Sequence, residues 1–158
     1  MKTATKKGMG FGLTSGVITT LGLIIGLYSS TNSRTAIVGG ILIIAIADSL
    51  SDAFGMHLSE EYGTKDKERD IWLATFSTLF FKFFAALTFV IPFVFFQLTI
   101  ATIISIFWGG ILISGFSYRV AKNHNHSPKK AIIQHLTITV IVIILTFFVG
   151  KTINLIFA

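Results

Sequence analysis

The chain has 158 residues, of which 53% are hydrophobic and only 13% charged, with a formal net charge of +6. A soluble domain carries about a quarter charged residues, so polar surface is too scarce here to solvate a globule, and a water-soluble enzyme domain is excluded. The mean hydropathy of +0.78 agrees, and the absence of cysteine excludes a disulfide-stapled secreted module.

A helix needs roughly 20 mostly apolar residues to cross a bilayer. In chain order, five stretches qualify: 10–30, 35–58, 71–96, 98–118 and 131–157. Runs such as Ile41-Leu42-Ile43-Ile44-Ala45-Ile46-Ala47 are apolar on every face. That fits helices and not the alternating ten-residue segments of a β-barrel. The expected fold is therefore all-α, a single transmembrane domain over 1–158. The longest polar links, 60–70 and 121–130, are too short to fold alone. Lys2, Lys6 and Lys7 precede the first apolar run as in a signal peptide. The run is long and glycine-rich, however, and ends in Ser29-Ser30-Thr31-Asn32-Ser33 without a small-x-small cleavage site, so it is read as an uncleaved first span.

The lysines and arginines set the orientation. Ten of the thirteen fall on one side: Lys2, Lys6, Lys7, Lys65, Lys67, Arg69, Arg119, Lys122, Lys129 and Lys130. Arg34 and Lys151 fall on the other, and Lys82 lies inside the third span. The bias predicts a cytoplasmic N-terminus and a C-terminus outside the cytosol. It also accounts for the basic charge without nucleic acid as a partner, because the charges are spread over three short segments.

Ionisable residues inside a span demand an explanation, since each costs about 2.5–3.5 kcal/mol at mid-membrane on insertion scales. Asp48 and Asp52 in the second span and Lys82 in the third are such residues. Residues four apart share a helix face, so Asp48, Asp52 and Met56 form one stripe, with Ser59 close to it. Carboxylates suit hard divalent ions and a thioether suits softer first-row metals; carboxylates also carry protons, so metal and proton can compete. The plainer alternative is that the aspartates are glue between helices. Lys82 bears on this choice. Asp48 lies 12 residues before Glu60 and Lys82 lies 12 after Asp70, each about 18 Å along its helix. The two antiparallel spans are thus expected to pair Asp48 with Lys82. Loss of Asp48 alone is then expected to impair folding more than loss of both partners.

The glycines at 8, 12 and 16, and at 22 and 26, are small-xxx-small faces suited to close packing, within the chain or between subunits. His124 and His126 have a spacing too generic for a metal site, and His135 reads as a packed or interfacial residue. Glu60 and Glu61 stand at the cytoplasmic mouth of the second span. No phosphate loop or nucleophile elbow is present, so no catalytic role is expected.

Two segments carry a resemblance. Gly10-Phe11-Gly12-Leu13-Thr14-Ser15-Gly16, with the glycine-spaced run to Gly26, is similar to the first span of the vacuolar iron transporter family, which includes yeast calcium-cross-complementer and nodulin-like members. Ala47-Asp48-Ser49-Leu50-Ser51-Asp52-Ala53-Phe54-Gly55-Met56-His57-Leu58-Ser59 resembles its second-span signature, Ala-Asp-Ala-Leu-Ser-Met-Ala-x-Gly-Glu-Tyr-x-Ser. Five spans, a cytoplasmic N-terminus and Pro92 in the third span fit as well. The resemblance implies a homodimer with an ion path between subunits, exporting Fe²⁺ or Mn²⁺ from the cytosol in exchange for protons, with no permanently bound cofactor. It implies Asp48, Asp52 and Met56 as ligands, Ser15 as a weak polar neighbour, and Glu60 and Glu61 as the approach. The chain departs from the family in five ways. Ser15 replaces the span-one carboxylate, Asp52 stands at the family's methionine and Met56 at its glutamate. The glutamate-rich cytoplasmic insert is replaced by the link 60–70, and Lys82 has no counterpart. Another solute on the same scaffold, or a non-transporting partner subunit, remain the alternatives. The expected location is the cell membrane of a prokaryote.

Overall fold

The computed structural model describes residues 3–63, 67–123 and 127–157. Its elements are α1 (Thr3–Thr31), α2 (Arg34–Gly63), α3 (Glu68–Thr88), α4 (Val90–Phe95), α5 (Leu98–Asn123) and α6 (Pro128–Phe157). Five helical spans, with α3 and α4 counted as one, are long and apolar enough to cross a membrane. The chain is an all-helical integral membrane protein.

At the charged flanks the helices run past their apolar stretches; α1, for example, starts seven residues before Gly10. The third span, expected as one helix, is interrupted at Phe89. Pro92 has no N–H to give the carbonyl four residues back, and Phe89 bonds instead to Ala86 O at 3.1 Å. α1 turns into α2 within two residues. Asn32 takes a left-handed φ of 48°, a conformation that asparagine tolerates better than most residues. Ser33 Oγ then accepts the Ala36 N–H at 3.3 Å as an N-cap.

α1 is the axis of the bundle, touching α2, α3, α5 and α6. Its glycines decide how closely. A methyl group at Gly12 would stand 2.5 Å from the Thr78 carbonyl, and one at Gly16 would stand 3.0 Å from that of Lys82. A methyl at Gly8 would collide with the Ala74 carbonyl. The first glycine stripe therefore packs α1 onto α3 within the chain. Gly22 and Gly26 instead face Val142 and Thr146 of α6.

The core is built around Val17, Leu21 and Ile24 of α1, Ile37 and Ile41 of α2, and Phe89 and Phe93 beside the helix break. Outward faces remain apolar, as with Ile46, Leu50 and Phe54 on α2 and Leu145 and Phe148 on α6. Such surface suits lipid tails and not water. The ends of the bundle differ: the starts of α1, α3 and α6 lie with the ends of α2 and α5. This end holds most of the lysines and arginines and is called the basic end below.

Candidate functional site

Lys82 is among the largest fully buried side chains of the protein, with only 2% of its side chain exposed. Its placement follows from the glycines. Gly12 and Gly16 let the α3 backbone at Thr78 and Lys82 press against α1, so the lysine side chain passes between α1 and α2. Its ammonium ends 2.6 Å from Asp48 Oδ2, 2.5 Å from Asp52 Oδ2 and 3.1 Å from Ser15 Oγ. The ammonium donates to Asp52 Oδ2 and Ser15 Oγ and forms an ion pair with Asp48. Ser15 Oγ in turn donates to Asp52 Oδ2 at 2.7 Å. Asp52 therefore accepts two hydrogen bonds, and Asp48 is held by charge.

The expected pair of Lys82 with Asp48 is present. The ammonium also meets Asp52, one helical turn on, and the cluster carries a formal charge of −1. Asp48 and Asp52 side chains are 32% and 21% exposed, so both keep an open side away from the lysine. Ser15 stands about 18 Å along α1 from Thr3 and about 24 Å from Thr31. The cluster is thus near the middle of the span.

The other candidates do not converge on it. Met56 is half-buried one turn nearer the basic end of α2, and Ser59 is exposed beyond it. Glu60 is buried and takes the Lys7 ammonium at 3.1 Å, whereas Glu61 is exposed. Among the described residues, no three His, Cys, Asp or Glu side chains gather in a group able to hold a metal ion. His124 and His126 lie outside the described residues.

Three polar features are absent from the sequence reading. His57 Nδ1 lies 3.1 Å from Thr75 Oγ1, which also reaches Ile71 O at 2.9 Å. His135 Nδ1 likewise lies 2.7 Å from Ser117 Oγ, which also reaches Ile113 O. In each pair the imidazole tautomer sets which atom donates. Matched distances from the tip of each hairpin were the available signal. The third feature has no sequence signal: Thr20 and Ser49 are fully buried with hydroxyls that bond to nothing among the described residues. Along α1, Thr20 lies beyond the lysine cluster, away from the basic end, whereas Ser49 lies between Asp48 and Asp52 in α2.

An apolar groove of about 310 Å³ lies between α1, α5 and α6, lined by Ile25, Ile106, Ile144 and Phe148 among others. No carboxylate or basic side chain lines it, and it takes no part in the charged site. Compared with known proteins, the chain matches no family model and no curated protein.

Proposed function

We propose that this protein is a membrane cation carrier in which Asp48 and Asp52 are the carrier carboxylates and Lys82 is a resident counter-cation. The observation that carries this reading is the surplus carboxylate. A structural ion pair needs one carboxylate per ammonium, and the second leaves a net negative charge at mid-span. An unpaired charge there costs about 2.5–3.5 kcal/mol, a cost that a purely structural clamp has no reason to bear. The buried hydroxyls of Thr20 and Ser49 add polar groups to the same stretch of α1 and α2.

The resemblance to vacuolar iron transporters supplies the cargo: Fe²⁺ or Mn²⁺, exported from the cytosol against protons. One chain offers the ion two carboxylates and, a turn away, the Met56 thioether. That set is incomplete, and the open sides of Asp48 and Asp52 are poorly suited to lipid. A second copy facing α2 would both cover them and double the donors, so the reading is of a homodimer. Cargo binding then requires the ammonium to yield at least one carboxylate oxygen.

One observation favours a second reading, a non-transporting subunit that keeps the scaffold: the Lys82 ammonium is already held by Asp48, Asp52 and Ser15. The same observation weighs against Lys82 as a receptor for an anionic solute, since two carboxylates already surround the ammonium. Manganese or iron uptake into proteoliposomes separates the readings. Flux present in wild type, lost in Asp52→Ala and kept or raised in Lys82→Ala supports the carrier. No flux in wild type contradicts it.

A further inference from the structure

All seven carboxylates of the chain lie between Asp48 and Asp70; from Ile71 to Ala158 there is none. The two hairpins at the basic end therefore differ in kind. The α2–α3 hairpin mixes Glu60, Glu61, Glu68 and Asp70 with Lys67 and Arg69. The α5–α6 hairpin carries Arg119, Lys122, Lys129 and Lys130, all exposed, with no acid beside them. The fold keeps the two apart, since α5 and α6 pack on α1 while α2 packs on α1 and α3. None of these four residues forms an ion pair among the described residues; Lys122 has only the Tyr118 ring, 5.9 Å away.

Helix polarity sharpens the contrast. The start of a helix carries partial positive charge and favours acids. α3 begins with Glu68 and Asp70. α6 has no acid in its first turn and instead places Lys129 and Lys130 there. That arrangement is unfavourable until an external anion arrives. Depth identifies the anion. Tyr118 is 47% exposed at the edge of the apolar run of α5, as interfacial tyrosines are, and Arg119 and Lys122 follow it immediately. The four charges therefore sit at the level of lipid phosphates. Orientation alone asks for basic residues, not for a segment stripped of acids, and the α2–α3 hairpin meets the same bias with acids included.

We infer that the α5–α6 tip, through Arg119, Lys122, Lys129 and Lys130, binds the phosphate headgroups of anionic phospholipids in the leaflet at the basic end. This inference stands apart from the carrier reading.

The test uses purified, delipidated full chain in detergent, titrated with phosphatidylglycerol or phosphatidylcholine and read by native mass spectrometry. Wild type should retain phosphatidylglycerol preferentially. Each charge removed should weaken that retention about fivefold, until selectivity vanishes in the Arg119→Gln/Lys122→Gln/Lys129→Gln/Lys130→Gln variant. A variant with the three lysines changed to arginine should keep it, as should Lys67→Gln/Arg69→Gln. Unchanged selectivity in the glutamine variant would overturn the inference. So would an equal loss in the Lys67→Gln/Arg69→Gln control, or displacement of the lipid by millimolar inorganic phosphate.

Discussion

The two sides of α1 are held by different forces. Toward α2 and α3, three glycines bring backbones into contact and a charged cluster is locked between the helices. Toward α5 and α6, glycines again allow close approach, since a methyl at Gly150 would collide with the Gly26 carbonyl, but no charge is enclosed and only 6% of the α6 apolar window is buried, against 44% for α1. Its polar links are single hydrogen bonds, such as His135 to Ser117 and Asn154 Nδ2 to the Ser30 carbonyl at 2.8 Å. The difference teaches that charge inside the bilayer is tolerated where two close-packed neighbours surround it with partners, whereas the other side, also glycine-packed on α1, leaves most of α6 to lipid.

Substitutions should expose that contrast in order of size. Lys82→Met leaves two carboxylates facing each other without a counter-ion and should cost about 3–5 kcal/mol, read as the thermal midpoint in detergent. Gly12→Leu drives a side chain into the Thr78 backbone and should cost about 1–3 kcal/mol or more. Gly110→Leu on α5, where nothing lies within 4 Å of the added carbon, should change stability by less than about 0.5 kcal/mol; an equal effect at both glycines would break the comparison. Asp48→Asn removes the surplus charge and leaves Lys82 matched one-to-one with Asp52, so the thermal midpoint should stay unchanged or rise. This replaces the expectation that losing Asp48 alone is worse than losing both partners, because Asp52 remains to hold the ammonium. His135→Phe, on the lipid-held side, should cost about 1 kcal/mol by removing one hydrogen bond.

Much of this was legible in the sequence, since bilayer thickness imposes long apolar runs and the cost of buried charge marks Asp48, Asp52 and Lys82. Counting residues from the hairpin tip was enough to put Lys82 level with Asp48. It could not add Asp52 and Ser15, because a lysine side chain reaches across a full helical turn and α1 enters only through its close approach to α3. The glycine stripe was visible but not its partner, as spacing says that a face is small and not what lies against it. The break at Phe89 is a local consequence of Pro92, yet hydropathy averages over it. The unpartnered hydroxyls of Thr20 and Ser49 depend on side-chain rotation and leave no trace in composition.

The central claim is that Lys82 occupies a cation site. Equilibrium Mn²⁺ binding to the purified protein, followed by the electron paramagnetic resonance signal of the free ion, tests it most directly. Lys82→Met, verified as folded, should bind Mn²⁺ at least about tenfold more tightly than wild type, because a competing positive charge has been removed. Asp48→Asn/Asp52→Asn should lose binding. Equal or weaker binding by folded Lys82→Met, or binding retained in the double asparagine variant, would contradict the account.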